Sequence, residues 1–170
     1  MAKLLYEGKA KQVYETENPN EYIIHYKDDA TAGNGVKHDQ FEGKGVLNNT
    51  ISCIIFDMLE EAGIKTHMIE KINERDIRVK KVEIFPLEVI IRNITTGSFC
   101  KRLGAKEGIV LDEPIFELSY KNDDYGDPLI NDDHAVALGL ATRDELKYIR
   151  ETTLKINELL KAFFLKLNLK

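Results

Sequence analysis

The sequence predicts a two-lobed α+β protein, and three observations carry that prediction. The first forty residues hold short β-branched and aromatic runs separated by turn residues. Two Val- and Ile-rich runs follow near mid-chain, and two helical apolar patterns accompany them, one of which closes the chain. At 170 residues the chain is long enough to bury a core. The expected division is 1–83, a β-rich N-terminal lobe, and 84–170, the start of an α/β lobe.

Each element has its own signal. Leu4 to Tyr6, Gln12 to Glu15 and Tyr22 to Tyr26 are strand runs, broken at Gly8 and at Asn18-Pro19-Asn20. Lys27 to Asp39, with Gly33, Asn34 and Gly35, reads as a loop. Gln40 to Ala62 reads as a helix, because Val46, Leu47, Ile51, Ile54, Ile55, Met58 and Leu59 recur at helical spacing and Gly63 sits at the expected C-terminal cap. Arg75 to Glu83 and Leu87 to Thr95 are strands, with Pro86 tolerated at the start of the second. A short helix opens at Ser98 and closes at Gly104. The last helix carries a capping box, Thr142 and Glu145, before apolar residues from Leu146 to Leu167 at steps of three and four.

Composition narrows the function. Hydrophobic residues at 43% and charged residues at 31% are those of a globular protein. A net charge of -5 argues against nucleic-acid binding, which needs a basic face, but leaves room for a phosphorylated small molecule held by a local basic cluster. Cys53 and Cys100 lack metal-binding spacing and read as buried thiols of a reducing compartment. There is no signal-peptide core and no apolar run approaching the roughly 20 residues that cross a bilayer. The expectation is a cytoplasmic protein without a membrane partner.

Four stretches can carry chemistry. In Tyr6-Glu7-Gly8-Lys9-Ala10-Lys11-Gln12-Val13-Tyr14 a glycine turn precedes a strand, and alternation puts Lys9, Lys11 and Val13 on one face. Two ammonium groups there can hold a polyphosphate, with the valine against a purine ring; the same lysines also suit a solvated edge strand that resists aggregation. In the apolar run Ile84 to Ser98, Glu88 and Arg92 are four apart on one strand face, and Gly97-Ser98 opens a helix whose N–H groups favour an anion. That arrangement fits a phosphate or carboxylate receptor, or a Glu–Arg pair that only fixes packing. Lys121 to His134 contains five aspartates without calcium-loop spacing, and a solvated turn is the plainer reading. Lys44 and Asn48 share a helix face after Gly43, which by itself says little. His25, His38 and His67 show no ligand spacing.

Together these stretches resemble the SAICAR synthetases, the phosphoribosylaminoimidazole-succinocarboxamide synthases. The resemblance spans essentially all 170 residues and is most specific at IFPLEVIIRNITTGS; YEGKAKQVY, KDDATAGNGVK, GKGVLNNTIS and DPLINDDHA extend it. It implies a two-lobed α+β fold with a kinase-like or ATP-grasp-like nucleotide cleft. It also implies the reaction that joins L-aspartate to carboxyaminoimidazole ribonucleotide (CAIR), giving the succinocarboxamide, ADP and phosphate, with ATP and magnesium. Gly8, Lys9, Ala10, Lys11, Val13, Glu83, Ile84 and Phe85 would line the nucleotide site. Arg92, Gly97, Ser98, Lys121 and Asp127 would hold the ribonucleotide; Asp28, Asp29 and Lys44 are weaker candidates, and no catalytic residue is assigned. Family members form homo-oligomers and continue past the long helix into segments that supply the magnesium carboxylates. The metal ligands are therefore expected beyond residue 170, and the 170 residues alone are expected to give no turnover, the alternative function being a non-catalytic nucleotide-binding fragment.

Overall fold

The computed structural model describes residues 3–32 and 37–169 (at 31, 32, 37 and 38 the backbone alone). The chain forms two units, Met1–Glu83 and Ile84–Lys170. The first is built on an antiparallel five-stranded sheet in the order β1-β2-β3-β7-β6. Its strands are β1 (Leu4–Glu7), β2 (Lys11–Glu15), β3 (Glu21–Tyr26), β6 (Met68–Lys71) and β7 (Asp76–Lys80). Ile24, Tyr26, Met68, Ile77 and Val79 project from it into one core with Cys53 of helix α1 (Lys44–Glu61), and Val13, Tyr22 and Phe56 pack on this cluster. The β-branched runs read from the sequence thus become strands because alternate residues reach a common core.

The expected loop at Lys27 to Asp39 is partly ordered as strand. β4 (Asp29–Ala32) pairs antiparallel with β5 (Lys37–Gln40), in the register Asp29 to Gln40. Gly33, Asn34 and Gly35 lie outside the described residues. Gln40 therefore belongs to β5 rather than to α1, and Gly43, at φ 82, stands between them as the helix N-cap. The helix buries Gly45, Asn49, Cys53 and Leu59, whereas Leu47, Ile51 and Ile54 of the predicted apolar pattern are exposed.

The second unit has a three-stranded antiparallel sheet, β10-β9-β8, made of β8 (Leu87–Ile94), β9 (Val110–Tyr120) and β10 (Leu129–Ile130). Helix α2 (Gly97–Leu103) follows β8, α3 (Asp132–Ala137) follows β10, and α4 (Arg143–Lys166) packs on β8 and α3. Leu118, Ala135, Ala141 and Leu146 form its core. The capping box holds as expected: Thr142 Oγ1 accepts from Glu145 N, and Thr142 N donates to Glu145 Oε2 at 2.7 Å. β9 carries Pro114, a residue that argues against a central strand. It is accommodated because β10 meets β9 only at Leu118 and Ser119, and because the β8–β9 register shifts between Arg92 and Ile94. Cys53 is buried as expected, and burial pushes its thiol pKa up; Cys100 is only half-buried.

Candidate functional site

Charged side chains cluster in each unit. In the first unit the β1–β2 turn is closed by Gly8 N–H donating to Lys11 O at 2.8 Å. Lys9 lies in this turn, not in the strand, so the shared strand face holds only Lys11 and Val13. Val13 packs on the unit's core. Lys11 Nζ sits 5.1 Å above the Tyr26 ring, a cation–π contact, and the crowding around it lowers its pKa. Ala10 O accepts from Lys27 N at 2.9 Å, tying the turn to the end of β3. Lys27 Nζ in turn bridges Glu7 and Asp29, at 2.6 Å each. Glu83, Ile84 and Phe85 lie in the connection between β7 and β8, where Ile84 is 81% exposed.

Beneath the turn is a closed ion pair. Arg75 gives both arms of its guanidinium to Asp28, Nη1 to Oδ1 at 2.8 Å and Nη2 to Oδ2 at 2.9 Å. Asp28 Oδ1 also accepts Gly45 N–H at 2.8 Å, and so caps α1 from the bend between β3 and β4. These partners, Arg75 first, hold the Asp28 carboxyl well below the usual carboxylate range. Gly45 is required by this packing: a Cβ there would fall 2.3 Å from Tyr26 O and 2.6 Å from Arg75 Nη1. Lys44 Nζ donates to Asp29 O at 2.9 Å, so Asp28, Asp29 and Lys44 all act in the frame around the start of α1.

In the second unit Arg92 and Ser98 come together, but Glu88 is not Arg92's partner. Arg92 Nε donates to Glu117 Oε2 at 2.5 Å, and Arg92 Nη2 to Ser98 Oγ at 3.2 Å. Arg102 donates from Nη1 to Ser98 Oγ at 3.1 Å and from Nη2 to Glu117 Oε1 at 2.9 Å. The cluster thus holds two guanidinium groups around one carboxylate and one hydroxyl. Glu88 lies within 3.7 Å of Lys121 Nζ instead, since the four-residue spacing that puts it on Arg92's face also separates it by about 13 Å along the strand. Lys121 Nζ reaches Asp127 Oδ2 at 2.6 Å, and Asp127 Oδ1 accepts Asn122 N–H at 2.9 Å.

Gly97, at φ 57, takes a backbone conformation that suits glycine. The helix start it opens is not a vacant anion site: Gly97 N–H donates to Glu107 Oε1 at 3.2 Å, and Thr96 Oγ1 to the same oxygen at 2.7 Å. The positive character of the site resides in Arg92 and Arg102. Arg102 and Glu117 carry little signal of this meeting in the sequence. Arg102 stands four residues after Ser98 on a helix, a spacing that shares a face. Glu117 alternates with Phe116 and Leu118 of β9, but its meeting with Arg92 needs the β8–β9 register, in which Ile90 faces Glu117. Among the described residues no group of three or more His, Cys, Asp or Glu side chains gathers as a metal site, the aspartates of 121–134 included. No helix among them is long and apolar enough to cross a membrane.

Comparison with known proteins decides the family. The family model for SAICAR synthetase matches residues 4–170. The chain belongs to the SAICAR synthetase family. It is 67% identical over 166 residues to the phosphoribosylaminoimidazole-succinocarboxamide synthase of Finegoldia magna, covering 98% of this chain and 72% of that relative. The crystal structure of the synthase from Ehrlichia chaffeensis superposes with a TM-score of 0.93 at 42% identity, covering 96% of this chain and 69% of that one. A SAICAR synthetase described in complex with ADP superposes at 0.90 with 48% identity, covering 95% of this chain and 68% of that one. The α+β SAICAR-synthetase fold and the family's activity, ATP-dependent ligation in purine biosynthesis, therefore stand as the sequence implied. The relatives are longer than this chain, as expected from the resemblance.

Proposed function

We propose that the chain joins L-aspartate to CAIR at the expense of ATP, with nucleotide-holding groups in the first unit and ribonucleotide-holding groups in the second. The observation that carries the proposal is the Arg92–Ser98 cluster, whose two guanidinium groups exceed its one carboxylate in charge. Arg92 and Ser98 take the 5′-phosphate of the ribonucleotide, and Gly97 sets the backbone turn that presents Ser98. Lys121, fixed by Asp127, lies toward the other end of that substrate. Gly8, Lys9, Ala10, Lys11 and Val13 line the nucleotide, with Glu83, Ile84 and Phe85 along the adenine; the ADP complex of a family member supports this part. Lys9 and Lys11 neutralise the polyphosphate.

The chemistry runs in two steps. A carboxylate oxygen of CAIR attacks the terminal phosphorus of ATP, forming an acyl phosphate and releasing ADP. The amine of aspartate then attacks the acyl carbon; a C–N bond forms, the C–O bond to phosphate breaks, and the amine loses a proton. Both steps ask the protein for orientation and charge stabilisation rather than for a covalent nucleophile. Magnesium accompanies the ATP, and among the described residues no group of three or more His, Cys, Asp or Glu side chains gathers to hold it. The same reading makes the protein a cytoplasmic homo-oligomer that uses small-molecule substrates, with neither nucleic acid nor membrane as partner.

A crossed binding experiment tests the assignment. Calorimetry on Lys11→Ala should show ATP affinity reduced by about 1.5–3 kcal/mol, the cost of a lost charge-assisted hydrogen bond, with ribonucleotide affinity kept. Arg92→Lys keeps the charge and loses the planar fork, so ribonucleotide affinity should fall and ATP affinity should hold. Unchanged ATP binding in the first variant, or equal losses of both ligands in the second, overturns the assignment.

A further inference from the structure

We propose that Arg102 is the second guanidinium of the ribonucleotide-phosphate receptor, and that Glu117 is the positioning residue that aims both guanidiniums. The proposal rests on the reading of Arg92 and Ser98 as that receptor. Each carboxylate oxygen of Glu117 takes one guanidinium, Oε2 that of Arg92 and Oε1 that of Arg102. Ser98 Oγ closes the ring from the other side by accepting from Arg92 Nη2 and Arg102 Nη1. Two like charges are thereby held on one hydroxyl, and Glu117 offsets only one of them. One carboxylate between two guanidiniums leaves the ring with surplus positive charge.

The serine adds an independent pointer. A hydroxyl has room to accept twice and donate once, and both acceptor positions here are filled by guanidinium N–H groups. Its own proton is left for an acceptor outside the ring, water at this exposed position when no ligand is bound and a phosphate oxygen when one is. Glu117 is well placed to position the ring because its side chain is 13% exposed and that of Arg92 is 15% exposed, whereas Arg102, at 36%, keeps an open side. Planar forks held at two points are aimed, which a flexible ammonium would not be. Glu117 touches no ligand in this scheme and acts through the two arginines.

The test exploits opposite signs. Glu117→Gln removes a negative charge beside the receptor, so simple electrostatics predicts tighter anion binding, whereas loss of aim predicts weaker binding. The probe is 5-aminoimidazole-4-carboxamide ribonucleotide, compared with its nucleoside, titrated into the full chain by NMR or calorimetry. Glu117→Gln and Arg102→Gln should each weaken the nucleotide about tenfold or more and leave the nucleoside unchanged. Glu117→Asp should restore part of the loss. Equal or tighter nucleotide binding by Glu117→Gln makes the residue a mere countercharge and overturns its role, and unchanged binding by Arg102→Gln removes Arg102 from the receptor. Arg92→Lys separates the two levels: if it weakens the nucleotide while the other variants do not, only this inference fails; if it too is without effect, or the parent chain shows no dependence on the phosphate, the receptor reading fails with it. Should Glu117→Gln unfold, Arg102→Lys, at a more exposed position, reports on the same ring through its nucleotide-to-nucleoside ratio.

Discussion

The two arginine–carboxylate clusters use the same groups to opposite ends. Around Asp28 the charges balance: Arg75 spends both arms on one carboxylate, and the remaining acceptor capacity takes the Gly45 amide at the head of α1. Around Glu117 two guanidiniums share one carboxylate, and Ser98 keeps a proton to give away. A balanced pair whose further bond goes to the backbone is a fastener. A surplus of one sign with donors left over suits the proposed receptor. An arginine beside an acid therefore carries little meaning until the whole donor and acceptor inventory around it is known.

The largest effect should come from breaking the fastener by volume. Gly45→Ala forces a methyl against Tyr26 O, a backbone atom that cannot swing aside, and should cost about 3 kcal/mol or more of stability in denaturant unfolding. A loss below about 1 kcal/mol would mean that α1 shifts freely and that the contact is no lock. Next, Thr142→Ala removes the cap of α4 and should cost about 1 kcal/mol, a local loss that leaves both clusters intact. If that variant also abolishes ribonucleotide binding, helix α4 and the receptor are coupled more tightly than their separate contacts indicate. The smallest effect is a matter of pH. Because the folded Asp28 carboxyl is depressed, its contribution is fully present above its unfolded pKa of about 4 and is lost as pH falls through the folded value. Acid titration of stability should therefore fall less steeply below about pH 4 in Asp28→Asn than in the parent, and identical slopes would show that Arg75 does not hold this carboxyl down.

What was legible in the sequence follows the range of the interactions. Helix α4, its capping box and the β2 and β3 strands depend on neighbours a few residues away, and the local pattern declares them. The stretch 27–39 reads as loop because it holds Gly33, Asn34 and Gly35; the pairing of β4 with β5 is a tertiary matter. β9 carries Pro114, which by local rules argues against a strand, and its tolerance comes from a register shift that no local rule contains. The same holds in the candidate site. Arg92 and Ser98 stand within one stretch and were found; Glu117 sits 25 residues from Arg92 and needs the register to join it. Lys9 was placed in the strand because alternation was extended one step too far, into a turn whose geometry Gly8 sets.

The contact between Asn93 and Asn157 has a consequence for this receptor. The two amides bond reciprocally, Asn93 Nδ2 to Asn157 Oδ1 at 2.8 Å and Asn157 Nδ2 to Asn93 Oδ1 at 3.1 Å, with Asn157 8% exposed. Such a two-way match works as a key. Sliding α4 by one residue would turn it about 100°, breaking both bonds and stranding two polar groups away from water. Asn93 is also the residue next to Arg92, and adjacent strand residues face opposite ways. The key is therefore cut into the back of the same strand segment that presents the arginine on its front, so the azimuth of a 24-residue helix and the aim of the proposed phosphate ligand are set by one peptide unit.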